Sequence, residues 1–168
     1  NHSNDTLFTI PVNISNLNYF ENLELENHSI SSIPTELYFL STLKELNLKS
    51  NEIIDLPNLI IGLDSLKYLN LSKNQLIVIP EEIGELSYLI ELNISDNEID
   101  SFPNTIGNLS NLEILNISDN AINQIPDSLH NLVNLTTLNI SGNQLDSLPS
   151  NWCDELLQIE WSNLNQFN

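Results

Sequence analysis

Arginine is absent from the 168 residues, and lysine occurs only four times, at Lys44, Lys49, Lys67 and Lys73. Against these cations stand 23 acidic residues, for a formal net charge of -19. Nucleic acid and anionic lipid are held by clustered cations that displace counterions, so neither is expected as a partner. The acidity reads first as a solubility device, with a basic partner as the alternative. Only one cysteine, Cys153, is present, which excludes an intramolecular disulfide and with it a disulfide-stapled secreted scaffold. A reducing, cytoplasmic compartment or a bacterial setting is expected. No apolar run approaches the length of a membrane span, and residues 1 to 19 lack the charged start and apolar centre of a signal peptide. Membrane insertion is therefore not expected, although a cleaved leader would be invisible. Nucleophile and metal arrangements are also missing. Cys153 stands beside Trp152 and Asp154, while His2, His28 and His130 are scattered. The chain is accordingly expected to have no catalytic residues, no cofactor and no metal, and reading it as an enzyme would require Cys153 to be reactive.

What the chain does have is a period. Its seven prolines, Pro11, Pro34, Pro57, Pro80, Pro103, Pro126 and Pro149, stand 23 residues apart. Aligned on them, Leu46, Leu69, Leu92, Leu115 and Leu138 form one column, and Leu48, Leu71, Ile94, Ile117 and Ile140 another two residues on. Asn51, Asn74, Asn97, Asn120 and Asn143 form a third, followed by apolar columns headed by Ile53 and Leu56. Alternating apolar residues such as Leu92 and Ile94 predict a short strand with one face inward. Proline then interrupts the ladder, and the second half of the unit supplies a turn or short helix. A single unit cannot bury its apolar side alone, so stacked units must share one core.

The unit LxxLxLxxNxIxxIPxxIGxLxx, covering residues 5 to about 164, resembles the leucine-rich repeat family in its 23-residue class. That resemblance implies an α/β repeat fold: a right-handed leucine-rich repeat solenoid with a parallel concave β-sheet and short helical or irregular convex segments. The organisation expected is a single domain over 1–168, with a partial N-terminal repeat at 1–19, repeats over 20–149 and a C-terminal cap at 150–168. Six full strands and a shorter cap strand are expected. In "LLQIEWSNL" the apolar residues Leu156, Ile159 and Trp161 fit the strand pattern two residues early, and Trp152 and Trp161 are expected to cover the end of the core. The half repeat at the start also suits a fragment of a larger receptor or signalling protein.

Several local motifs dissolve into the period. Asn70, Asn93, Asn116 and Asn139 each head a glycan acceptor triplet, yet all would lie mid-strand on the concave side, where stacked glycans have no room. Asp96, Glu98 and Asp100 alternate like the start of a calcium loop, but Ser101 and Gly107 occupy the places of its glycine and glutamate, and a solvated turn is expected instead. The Asn97 column points inward, so its buried amides are expected to form a hydrogen-bonded spine on open backbone groups. His28 stands in that column in the first full unit, where a ring nitrogen can substitute.

The outward strand positions remain. The columns containing Asn93 and Ser95 are nearly uniform and are expected to form cross-strand hydrogen-bonded ladders of little selectivity. A variable column runs Asn22, Glu45, Tyr68, Glu91, Ile114, Thr137, and a second variable row follows the strands at Asn27, Ser50, Lys73, Asp96, Asp119 and Gly142. Specificity is expected there, with Tyr68 and Ile114 as anchors and Glu45, Lys49, Lys73, Glu91, Asp96 and Asp119 selecting by charge. The family resemblance implies a protein partner on the concave face and no catalysis, the chain being monomeric when alone. The alternative is a secreted or surface-exposed microbial effector or adhesin engaging a host factor, a setting that the Asn- and Ile-rich, arginine-free composition also suits.

Overall fold

A computed structural model of the chain describes residues 7–147 and 160–161. Its strands are short and follow one another at the period of the sequence: β1 Asn22–Glu24, β2 Glu45–Asn47, β3 Tyr68–Asn70, β4 Glu91–Asn93, β5 Ile114–Asn116, β6 Thr137–Asn139 and β7 Glu160–Trp161. They form one parallel sheet in chain order. The register pairs each column with itself, so that Leu46, Leu69, Leu92, Leu115 and Leu138 lie side by side.

Among the described residues one short 3-10 helix, η1 Val12–Leu17, precedes β1, and five lie between strands: η2 Thr35–Phe39, η3 Asn58–Gly62, η4 Glu81–Glu85, η5 Asn104–Asn108 and η6 Asp127–Asn131. Each begins immediately after a proline in an extended conformation. The strands have already ended ten residues earlier, at Asn93 before Pro103 for example, so the proline does not break the sheet as expected; its ring fixes φ at the entry to the helix. The proline carbonyl then accepts the N–H three residues on, as Pro80 O does from Ile83 N at 3.1 Å. The sheet lines one side of the solenoid and these helices the other. Gly107 has a packing role: a Cβ there would run into the backbone carbonyl of Ser128 in the next repeat.

The core is a continuous column, mostly of leucine and isoleucine. In the repeat from Leu43 to Leu63, the residues Leu43, Leu46, Leu48, Ile53, Leu56, Ile60 and Leu63 are each 2% exposed or less. Burying a side chain of this size contributes roughly 1.5–3 kcal/mol relative to leaving it in water. At the N-terminal end Ile10 and Ile14 are buried, and Leu7 and Leu17 pack partly buried against the same core.

The asparagine column is the spine expected. Asn97 Oδ1 accepts from Leu76 N at 3.0 Å, and its Nδ2 donates to the carbonyls of Leu71, Ile94 and Ser95 at 3.0–3.1 Å. Asn51, Asn74, Asn120 and Asn143 repeat this pattern. Each amide thus ties its own turn to the preceding repeat. His28 does substitute: its Nδ1 accepts from Leu7 N at 3.4 Å, at the same 21-residue offset.

One expectation is corrected. β7 pairs Leu138 with Trp161, 23 residues apart, so the last strand keeps the period and does not run two residues early. A shift of two leaves every side chain on the same face, and an apolar pattern alone cannot tell the two registers apart. The ladder of β6 decides. The expected cap otherwise, including Trp152 and Cys153, lies outside the described residues, as do residues 1–6 of the partial first repeat.

Tyr38, two repeats before Gly84 in the same column, is 2% exposed, and its hydroxyl has no hydrogen-bond partner. Burial, and then the nearby Asp55 carboxylate, push its pKa well above the ordinary tyrosine value. A buried hydroxyl without a partner is a net cost. Tyr38→Phe is therefore expected to raise stability by about 1 kcal/mol, measured by chemical denaturation; a loss of stability would mean that the hydroxyl has a partner in solution.

Candidate functional site

From β2 to β6 the middle residue of each strand is buried and its two neighbours face out. Parallel register therefore places Glu45, Tyr68, Glu91 and Ile114 in one row on four adjacent strands. Four of the eight residues singled out by the sequence are thus brought together. Tyr68 is 41% exposed, whereas Glu45, Glu91 and Ile114 are half-buried. Around Tyr68 the sheet surface forms a shallow depression of about 120 Å³, bounded by Glu45, Asn47, Tyr68, Asn70 and Glu91.

The uniform asparagine and serine columns do not form the cross-strand ladders expected. Asn70 Oδ1 accepts from Ser72 N at 3.1 Å and Ser72 Oγ at 2.7 Å, within its own repeat. Asn93 with Ser95 and Asn139 with Ser141 do the same, and Asn116 Oδ1 accepts from Ser118 N. The cause is the ladder itself, in which Leu71 N and Lys73 N reach the next strand and the amide of Ser72 is left over. A side chain two residues back satisfies it, as asparagine does in turns. These four mid-column asparagines, Asn70, Asn93, Asn116 and Asn139, thus sit half-buried with their oxygens turned along the chain. Asn47 is the exception, donating through Nδ2 to Glu24 at 2.8 Å and Glu26 at 3.1 Å across to β1 and the segment after it.

The row beyond the strands has a backbone reason for its variation. Asn27, Ser50, Lys73, Asp96, Asp119 and Gly142 all have φ between +54° and +67°. Glycine, asparagine and aspartate tolerate this left-handed region best. Asp96 and Asp119 therefore satisfy their turns, and their variability is not by itself a sign of contact. Ser50 and Lys73 are the two that the turn does not favour.

Charge is also redistributed relative to the expectation. Lys49 Nζ lies 3.2 Å from Glu26, and Lys44 Nζ lies 2.6 Å from Glu21. Lys49 thus has an ion-pair partner in the preceding repeat. Hydrogen bonds from Lys49 first, then from Asn47, hold the Glu26 carboxyl below its usual pKa. Such exposed pairs are weak, because solvent and salt screen them. Lys67 and Lys73 form no ion pair among the described residues. Glu21 and Lys44 are a pair that the sequence signals only through their spacing, since opposite charges 23 residues apart meet directly in a parallel register. No group of three or more His, Asp or Glu side chains suited to a metal comes together among the described residues. No helix there is long and apolar enough to cross a membrane. Cys153 lies outside the described residues.

Two family models match the chain, one described as a leucine-rich repeat region over residues 60–156 and one as a leucine rich repeat over residues 19–76. A leucine-rich repeat protein of Leptospira interrogans is 35% identical with a TM-score of 0.88, covering 93% of this chain and 40% of its own. The ectodomain of the Arabidopsis thaliana membrane receptor kinase GASSHO1/SCHENGEN3, solved in complex with CASPARIAN STRIP INTEGRITY FACTOR 2, is 33% identical with a TM-score of 0.84. That match covers 91% of this chain and 19% of the receptor chain. The plant peptide hormone receptor RGFR1, solved in complex with RGF2, is 29% identical with a TM-score of 0.77, over 93% of this chain and 30% of its own. The chain therefore spans less than half the length of these solved proteins. Curated protein sequences contain no match to it.

Proposed function

The chain belongs to the leucine-rich repeat family, and from that premise we propose that it is a noncatalytic protein-interaction module that binds a polypeptide mainly through its concave sheet. The observation that carries this reading is the row Glu45, Tyr68, Glu91, Ile114: the one outward strand column that varies freely, in a surface whose other columns are nearly uniform. An aromatic side chain, exposed, and an aliphatic one, half-buried, face outward there among polar neighbours. Short strands on a shared core make the surface rigid, so little ordering entropy opposes binding. One of the similar proteins is a peptide hormone receptor solved in complex with RGF2, and another is a receptor kinase ectodomain solved in complex with CASPARIAN STRIP INTEGRITY FACTOR 2, which supports a polypeptide as the kind of partner. A microbial protein engaging a host factor is the second reading, favoured by the likeness to the Leptospira protein.

Capture of a partner from the native source is expected to fall at least tenfold for Tyr68→Ala and severalfold for Ile114→Ala, with far-UV circular dichroism unchanged. Equal capture by parent and both variants would move the site off the concave face.

A further inference from the structure

We propose that the depression centred on Tyr68 is a pocket for an arginine side chain of the partner polypeptide. This rests on the concave-face reading and assigns the chemistry of its central contact. The register sets Glu45 and Glu91 on either side of Tyr68. With parallel strands about 4.8 Å apart, the two carboxylate-bearing backbones stand roughly 10 Å apart with the phenol between them. The residues bounding the cavity carry two carboxylates and no cation. Of the lysines of the neighbouring repeat, Lys44 is held by Glu21 and Lys49 by Glu26. Lys67 precedes Tyr68 but lies outside the cavity lining. Neither Glu45 nor Glu91 forms an ion pair or side-chain hydrogen bond among the described residues.

An exposed aromatic ring between two unpaired carboxylates is an attractor for an organic cation, through the ring quadrupole and the two charges together. Guanidinium suits it better than ammonium. Its plane can lie on the ring while donors on both edges reach carboxylates on opposite sides, which a compact ammonium cannot do. Asn70 adds a neutral donor: its oxygen is committed to Ser72, so its amide nitrogen is available to a carbonyl of the same partner segment. The net charge of -19 draws basic segments towards the surface and repels acidic ones.

The test is a 15N–1H NMR titration of the full chain with the amides of Nα-acetyl-arginine, Nα-acetyl-lysine and Nα-acetyl-citrulline. The arginine derivative is expected to shift Glu45, Tyr68, Asn70 and Glu91 saturably, with Kd on the order of millimolar. The lysine derivative should bind severalfold more weakly, and the neutral citrulline derivative should not saturate. The double variant Glu45→Gln, Glu91→Gln should weaken the arginine derivative about fivefold or more and remove its salt dependence, and Tyr68→Leu should weaken it about threefold. Citrulline matching arginine at these residues, or arginine shifts that map elsewhere or never saturate, would overturn the pocket. A partner still captured through Tyr68 and Ile114 in that case would leave the concave reading standing. Saturable arginine binding with capture unaffected by either alanine variant would overturn the concave reading, and with it the assignment of the depression to a partner's arginine.

Discussion

Asn74→Ala is expected to cost about 3–4 kcal/mol, and Asn74→Asp more, although aspartate is the closer isostere. Asn74 is 8% exposed. Its oxygen accepts from Ile53 N at 3.0 Å, and its nitrogen donates to the carbonyls of Leu48 and Leu71 at 3.0 Å and of Ser72 at 3.3 Å. Alanine leaves a buried N–H with no partner and strips donors from the carbonyls, and an orphaned buried donor alone costs about 1–3 kcal/mol. Aspartate keeps the acceptor but turns a carboxylate oxygen towards those carbonyls. The charged form is then disfavoured both by burial and by the oxygens around it, so the folded-state pKa of the introduced carboxyl lies above its unfolded value near 3.9. A group shifted in that direction costs little below its unfolded pKa and progressively more as pH rises towards the folded one. The stability gap between parent and Asn74→Asp is thus expected to widen from pH 5 to pH 8, measured by denaturation of both proteins side by side. A gap independent of pH, or equal losses for the alanine and aspartate variants at pH 8, would remove the amide from its bridging role.

That spine is legible in the sequence because it obeys a counting rule: an inward polar column needs partners, and the turn after each short strand leaves backbone groups open for it. The strands and the core follow equally from Leu92, Ile94 and their equivalents, since 23-residue recurrence leaves few ways to bury one apolar side. The site is less legible. Sequence places Tyr68 between Glu45 and Glu91 only as members of a column, and the parallel register makes them neighbours. Lys49 reads as a charged contact because its ion pair with Glu26 spans a repeat. Asp96 and Asp119 read as variable and therefore functional, whereas a left-handed turn restricts their position to a few residue types. For the asparagine and serine columns the expected direction of bonding is the wrong one. Uniformity between repeats suggests bonds between repeats, yet the amide of Ser72 is open within its own repeat, just past β3, and Asn70 is the side chain that reaches it. Each of these features concerns a side chain whose behaviour depends on local backbone geometry and pairing, a detail finer than a periodic pattern records.

Leu92→Ala is the second large effect, with an expected loss of about 3–4 kcal/mol and a broadened unfolding transition. Leu92 is 0% exposed at the centre of β4, in register with Leu69 on β3 and Leu115 on β5. The contacts between elements run between consecutive repeats, helix to neighbouring helix and strand to neighbouring strand. In such an array stability is a sum of repeat terms and nearest-neighbour interfaces, so one central cavity weakens two interfaces at once. The parts on either side are then less tightly coupled and unfold at different denaturant concentrations, which lowers the apparent m-value. Leu23 holds the equivalent column position on β1, where it is only half-buried. Leu23→Ala is accordingly expected to cost less than half as much and to leave the transition sharp. Hydrogen exchange distinguishes the two: Leu92→Ala should lower protection on both sides of β4, and Leu23→Ala only near β1. Equal costs for the two variants with equally sharp transitions would mean that the chain unfolds as one indivisible unit, and the nearest-neighbour description of its stability would fail.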